Sequence, residues 1–402
     1  MKRVAITGLG CVSSLGVGVE AFWHGLLEGR ATHGPITLFE ASKLAPAVAC
    51  EAAAYDASSF FPAKKLDLLD RFSQFALLAA FEALRDAGLE PGKAGAERGG
   101  IALGTGAGGA LTQDEGYRNL YGRGAARVHP FTIPRLMYSA AASQLSMELG
   151  ITGPVLNFST ACASAAHAIG EGAEMVRGGR AGWVLAGGSD APLCYGFMKS
   201  WEAMRVLASV CRPFSVDRQG IVIGEGAGLL VLEEWETARR RGARIYAELA
   251  GYAATADAAH ITQPGVEAPA AAIRGALAQA RLAPGDIDYV NAHGTGTRLN
   301  DATETRILQC VFGPSLRGLW VSSTKGAHGH AMGASGALEL IATALALYHA
   351  AAPPTINFTA ADPECDLDCV PNAARERPLR AAISNSFAFG GLNAVLALRK
   401  TK

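Results

Sequence analysis

The chain has 402 residues, half of them apolar, and its 36 basic side chains balance 36 acidic ones. That length buries a large core, as one extended domain or two fused halves. A formal charge of zero argues against a broad nucleic-acid footprint and leaves room for a local basic patch facing an acidic protein partner.

The opening MKRVAITGLGCVSSLGVG places two basic residues before an apolar stretch. The stretch is short, broken by Gly and without a small-residue cleavage site, so a first strand over Val4 to Thr7 is expected instead of a signal peptide. Apolar and polar residues then alternate between strand-like and helix-like runs throughout, the pattern of an α/β protein with buried sheets. Phe72, Phe75, Leu78, Ala79 and Phe81 cluster on one side of an expected helix from Phe72 to Asp86, and Gly88 follows as its stop signal. Strands are expected at Gly100 to Leu103 and Val155 to Phe158, and a helix from about Ala163 to Val176. Strands at Trp183 to Ala186 and Gly228 to Glu233 complete this half.

The RRRGAR run at 239–244 reads as a junction, after which a similar order begins again. A strand in YAELAG leads to a helix from Ala268 to Ala280, a strand from Ile287 to Asn291 and a helix from about Thr303. A strand at Trp320 to Ser322, a long helix from about Gly333 to Tyr348, and strands at Ala381 to Asn385 and Ala394 to Leu398 follow. Two halves, 1–244 and 245–402, therefore point to an internal structural duplication without an obvious sequence repeat. The long helix is the nearest approach to a membrane span, but Glu339 interrupts it, and the chain is expected to be cytoplasmic. Its eight scattered cysteines are expected to be reduced, and CDLDC at 365–369 lacks a matching His or Cys pair for a metal.

Two Gly-rich stretches invite a nucleotide-binding reading. Gly8-Leu9-Gly10 has Ser13 at the third motif position and no suitable acidic residue further on; the run from Gly104 to Gly109 lacks a Lys-Ser/Thr ending. Tight turns and close backbone packing explain both.

Three other segments carry chemistry. In NFSTACASAAH, a strand runs into a turn that sets Cys162 at the start of a helix, where free N–H groups and the helix dipole are expected to favour thiolate. Small neighbours leave room for a thioester to approach. In YVNAHGTGT, His293 lies just beyond a strand, at the carboxyl end where α/β active sites collect. In VSSTKGAHGHAMGASG, Lys325, His328 and His330 share a small-residue loop that leads into a helix.

Together these segments resemble the β-ketoacyl-[acyl-carrier-protein] synthase family of the thiolase superfamily, and the resemblance covers nearly the whole chain. STACASA at 159–165 is similar to the family's nucleophile motif, NAHGTGT at 291–297 to its first histidine motif, and SSTKGAHGH at 322–330 to its lysine and second-histidine motif. The five-residue step from Lys325 selects His330 over His328. RPFSVDRQGIVIGEGAG and NSFAFGGLN are further family blocks. The resemblance is closest to the elongating, FabF-like branch, and AGGSDAPL, WEAMR and CDLD add a likeness to nodulation-type and aryl-polyene ketosynthases.

The resemblance implies a thiolase-like fold: two pseudo-duplicated βαβαβαββ-type halves in a layered α-β-α-β-α core. It implies Cys162 as the acyl-bearing nucleophile, with the backbone N–H groups of Cys162 and Phe389 as the oxyanion hole and Phe389 as a gate. His293 and His330 would stabilise the enolate of a malonyl thioester, with Lys325, paired to Glu304, organising them. No cofactor and no metal are implied. Ala107 and Ile221 replace bulkier family residues in the acyl pocket, and Leu392 replaces the Thr of the usual FGGTN block. Lys64, Arg127 and Arg205 match the basic rim that receives acyl-carrier protein, whereas Asp67 stands where a basic residue is often found. The implied assembly is a homodimer, or a heterodimer with a chain-length-factor-like subunit. A non-catalytic chain-length-determining role is the alternative, against which the retained Cys162, His293, Lys325 and His330 count.

Overall fold

The computed structural model describes residues 2–90 and 98–401. Its centre is one mixed sheet, whose main strands are β1 (Val4–Ser13), β2 (Gly99–Gly104), β3 (Val155–Phe158), β4 (Trp183–Asp190) and β5 (Gly226–Glu234), then β6 (Ala247–Ala256), β7 (Tyr289–Asn291), β8 (Trp320–Ser322), β9 (Ala381–Ala388) and β10 (Leu392–Arg399). The helices that matter here are α1 (Arg71–Asp86), α2 (Ala140–Leu149), α3 (Ser164–Arg177), α4 (Tyr195–Ala203), α5 (Glu267–Ala280), α6 (Arg298–Phe312) and α7 (Ser335–His349); others are named by their residues.

The strand order is β8-β7-β9-β10-β6-β1-β5-β4-β2-β3. Counted from its outer edge inward, each half of the sheet runs third, second, fourth, fifth, first in its own chain order. In both, the outer three strands are parallel and the inner pairs antiparallel. The halves join where β1 pairs with β6, at Ala5 opposite Glu248 and Ile6 opposite Ala247. The duplication expected from the alternation of elements is thus present as a repeated topology.

Three apolar cores separate five layers. Outside the first half-sheet, Phe72, Phe75 and Leu145 of α1 and α2 pack on Leu103, Leu185 and Leu229. Outside the second, Ile273, Leu277 and Ile307 of α5 and α6 pack on Val290, Ile383 and Val395. Between the half-sheets lie α3 and α7, with Ile169, Met175, Leu338 and Ile341 against Ile6, Leu230, Leu249 and Leu396. Every residue of α7 from Ser335 to Leu347 is buried, as a helix covered on all sides requires. Each such Leu or Ile contributes about 1.5–3 kcal/mol by leaving water.

Glycine permits the closest of these contacts. A Cβ on Gly8 would lie 2.1 Å from the Ala83 carbonyl oxygen, and one on Gly10 2.0 Å from that of Ala79. The Gly8-Leu9-Gly10 stretch is therefore strand pressed onto α1, which is why β1 continues well past the expected end at Thr7. Helix α6 likewise starts earlier than expected, at Arg298, because Thr297 caps it by accepting the Asn300 N–H at 3.3 Å. Among the described residues, no helix is long and apolar enough to cross a membrane.

Candidate active site

β3 ends at Phe158, and the chain turns through Ala161, whose φ of +50° is rare for a residue with a side chain. One 3-10 turn, Ala161–Ala163, then feeds α3. Ser164 pins this turn: its hydroxyl accepts the Thr160 N–H at 2.9 Å and donates to the Ala161 carbonyl at 2.6 Å. Gly104 lets β2 pass directly beneath, since a Cβ there would meet the Ser164 carbonyl carbon at 2.3 Å. Cys162 sits at the apex, 7% exposed.

Burial pushes the Cys162 thiol up to about 11, against the lowering influence of the Lys325 charge and the Phe389 backbone N–H. This corrects the expectation of a depressed value at a helix start. A helix end favours an anion by only about 0.3–1 kcal/mol at the surface, and withdrawal of a thiolate from water outweighs it. The resting side chain is a thiol.

His293 follows β7. Glu304, on α6, accepts the His293 and Gly294 backbone N–H groups at 2.9 and 2.7 Å and the Asn385 amide at 3.1 Å. Lys325 is fully buried; its ammonium donates to the His293 carbonyl at 2.6 Å, lies 3.5 Å from His293 Nδ1, and pairs with Glu339. The expected partner of Lys325, Glu304, is therefore the wrong carboxylate: Glu304 orients the His293 backbone, and Glu339 neutralises the lysine. Burial raises Glu339 to about 7, with Lys325 opposing. The signal for it was present in the sequence as the one acidic residue inside an otherwise apolar helix.

His330 leads towards α7. Its Nδ1 accepts the Met332 N–H at 3.1 Å and lies 2.9 Å from the Ser335 hydroxyl. A neutral ring with an occupied Nδ1 lone pair carries its proton on Nε2, and Nε2 faces the Cys162 sulfur at 3.1 Å. His293 Nδ1, facing the Lys325 ammonium, assigns the same tautomer there. Burial, reinforced by the Lys325 charge, holds both histidines well below the ordinary imidazole range. Their rings are 5.7 Å apart and nearly perpendicular. His328 instead turns to the Thr324 hydroxyl at 3.0 Å and packs its ring against Phe22.

The sulfur and one nitrogen of each histidine lie within 4.8 Å of one another, close enough to share an ion. The hydrogen bonds favour a different use. A metal on His330 Nε2 would need that proton moved to Nδ1, breaking the Met332 bond, beside a buried ammonium. Two neutral N–H donors converging beside a thiol suit a developing oxyanion better.

Asp190, at the end of β4, is a residue the sequence reading missed. Its carboxylate accepts the Thr105 hydroxyl at 2.6 Å and the N–H groups of Gly106, Ala107 and Gly333 at 2.8, 2.9 and 2.6 Å. It ties the loop after β2 to the turn after His330, and burial raises it to about 6. An acid ending the apolar strand of AGGSD was its only trace.

Two cavities meet at Cys162. The first, about 270 Å³, reaches His293, His330, Thr295, Thr297 and Ile221; the second, about 300 Å³, is bordered by Gly106, Phe197, Ser200 and Met332. Cys162, Trp201, Met204 and Phe389 border both. Phe389, half-exposed, stacks on Trp201 at 5.8 Å. Of the two expected pocket residues, Ile221 lines the first cavity and Ala107 lines neither; its neighbour Gly106 borders the second. Lys64, Arg127 and Arg205 are all exposed, and Arg205 directly follows Met204.

Residues 1–238 match the model of the β-ketoacyl synthase N-terminal domain, and residues 246–359 that of its C-terminal domain. The chain belongs to the β-ketoacyl synthase family. Nodulation protein E of Rhizobium sp. (strain N33) is 47% identical over 400 residues, covering 99% of both chains. The 3-oxoacyl-[acyl-carrier-protein] synthase 2 of Synechocystis sp. is 41% identical over 408 residues, covering 99% of this chain and 98% of its own. A solved structure described as the ishigamide ketosynthase/chain length factor matches with a TM-score of 0.95 at 38% identity, covering both chains completely. This β-ketoacyl synthase thus has the thiolase-like fold and is an acyl-transferring condensing enzyme, of the kind that lengthens chains by Claisen condensation.

Proposed function

We propose that the chain extends an acyl group held on Cys162 by a unit taken from malonyl-[acyl-carrier protein], releasing carbon dioxide. In the first half-reaction, Cys162 Sγ attacks the carbonyl carbon of an acyl-carrier-protein thioester. The bond to the carrier sulfur breaks, and the thiol proton ends on the departing carrier thiolate. The backbone N–H groups of Cys162 and Phe389 stabilise the tetrahedral oxyanion, and the Lys325 charge favours the attacking thiolate.

In the second half-reaction, the malonyl carboxylate leaves as carbon dioxide and its bonding electrons pass into an enolate. The enolate oxygen lies between His293 Nε2–H and His330 Nε2–H. The α-carbon attacks the acyl-cysteine carbonyl, the carbon–sulfur bond breaks, and Cys162 takes up a proton. The thioester itself activates the α-carbon, so this chemistry calls for no organic cofactor. Lys325 is a positioning residue: it holds the His293 carbonyl and keeps both rings neutral.

The observation that carries this reading is the pair of neutral histidines whose occupied Nδ1 atoms leave Nε2–H donors around one thiol. The partner that delivers both substrates would be a cytoplasmic acyl-carrier protein, its acidic surface complementary to Lys64, Arg127 and Arg205. The exposed Tyr117, Tyr121, Phe131 and Tyr138 suit burial against a second ketosynthase-like chain, either a copy or a chain-length-factor-like subunit.

Intact-mass measurement after mixing with acyl-carrier proteins bearing saturated, polyenoic and aromatic chains tests the proposal. A stable acyl adduct is expected on the protein and none on Cys162→Ala. Failure of every chain to acylate the protein would refute it as a stand-alone enzyme.

A further inference from the structure

Helix α4 and its C-cap residue Met204 send Phe197, Ser200, Trp201 and Met204 to the second cavity, the i, i+3, i+4, i+7 stripe of one helical face. Its other side is anchored: Met198 is fully buried beside Leu193, Ile223 and Met332, and Glu202 accepts the Ala45 N–H at 2.6 Å. The helix therefore holds Trp201 at a fixed place where the two cavities divide. There the indole stacks on Phe389 at 5.8 Å with ring planes 21° apart, and meets the Phe197 ring at 6.3 Å.

We propose that Trp201 sets the length and girth of the acyl group that Cys162 accepts, by holding Phe389 as the partition between the two cavities. This inference rests on the condensing-enzyme reading given above. The first cavity contains both histidines and has to receive the extender thioester, so a chain on the Cys162 sulfur runs into the second. That space is about 300 Å³, and the indole is the largest side chain on its wall. Phe389 borders both cavities, so a chain too long or too broad for the second cavity presses on the stack and disturbs the Phe389 N–H that faces Cys162. Trp201 is thus a specificity-determining residue that acts partly through the oxyanion site. Neither Ala107 nor Ile221 is placed to do this.

The test compares Cys162 acylation rates by intact mass for the protein, Trp201→Ala and Trp201→Phe, using carrier-borne short, long and branched saturated chains. Trp201→Ala is expected to raise the ratio of long-chain or branched-chain to short-chain rates about tenfold, the order a hydrophobic wall can discriminate. Trp201→Phe, which keeps a stacking ring, is expected to preserve most of the original preference. If the alanine variant melts early, Trp201→Leu replaces it, keeping an apolar side chain on α4 while removing the stack. An unchanged ratio in a folded variant overturns the proposal, as does an equal fall for every chain; either leaves the condensing-enzyme reading intact. Absence of acylation in the unaltered protein removes that reading first and this one with it.

Discussion

At the scale of single residues, the site is organised around one buried cation. Lys325 opposes the burial that raises Cys162, holds the His293 carbonyl, and joins burial in lowering both histidines. The histidines are neutral at any pH near 7, so malonyl decarboxylation is expected to show no loss through the ordinary histidine range around pH 6.5. Its acidic limb should lie lower. Lys325→Ala removes the largest charge behind that depression after burial, so the limb is expected to move to higher pH, while Glu339, left without its counter-charge, takes up a proton. A pH profile of carbon dioxide release from malonyl-carrier protein checks both statements; an unmoved limb would show that burial alone governs the rings. The same depression bears on stability. Below about pH 6.5 the unfolded histidines bind protons that the folded ones refuse, so stability contributed by these groups falls as pH drops.

At the scale of elements, glycines decide how closely the strands approach the helices, and two of them separate stability from chemistry. Gly10→Ala would drive a Cβ to 2.0 Å from the Ala79 carbonyl oxygen, whereas Gly104→Ala would drive one to 2.3 Å from the Ser164 backbone. Both are expected to cost about 1–3 kcal/mol or more through overpacking. Only the second displaces the turn that carries Cys162. Denaturation midpoints should therefore fall in both, and the acylation rate of the folded fraction should fall only in Gly104→Ala. Equal acylation rates would mean that the turn is held by Ser164 and Ala161 independently of the strand below.

Which elements could be read in advance follows from the same packing. The parallel strands β2, β3 and β8 and the helices α1, α3 and α7 announce themselves by continuous or periodic apolar runs. β1 looked short because its middle is glycine, a residue chosen there for contact with α1 and silent to strand propensity. α2 and α4 escaped notice: Ala140–Leu149 is small and weakly patterned, and the stripe of α4 faces a cavity instead of a core. At the site, motif residues were legible and their partners less so. Glu304 stands 11 residues after His293 and Glu339 14 after Lys325, each on the helix that follows, and only the fold decides which carboxylate serves which group. Asp190, Trp201 and Gly106 act through three-dimensional neighbours and belong to no chemical motif.

At the scale of the whole molecule, the duplicated topology explains why the chemical groups converge. In each half, the third strand, β3 or β8, leads to a turn containing a residue at positive φ, Ala161 at +50° or Met332 at +47°, and then into a central helix. Cys162 occupies the first turn and His330 stands just before Met332 in the second. Because α3 and α7 pack against each other between the half-sheets, these equivalent turns face one another, and Asp190 bonds directly to Gly333 across them. Neither half contains a complete site, and neither encloses its central helix alone. The core around α3 and α7 includes Ile6 and Leu230 from one half-sheet and Leu249 and Leu396 from the other, so separating the halves would expose apolar surface on both. Unfolding in urea is therefore expected to be one cooperative event, despite a length at which separate domains are common. Far-ultraviolet circular dichroism, tryptophan fluorescence and Cys162 acylation should then share one midpoint. Four of the five tryptophans, at 23, 183, 201 and 235, lie in the first half, so fluorescence reports mainly on that half while dichroism reports on both. A fluorescence midpoint displaced from the dichroism midpoint would show that the half-sheets unfold separately, and that the central helices stay with one of them.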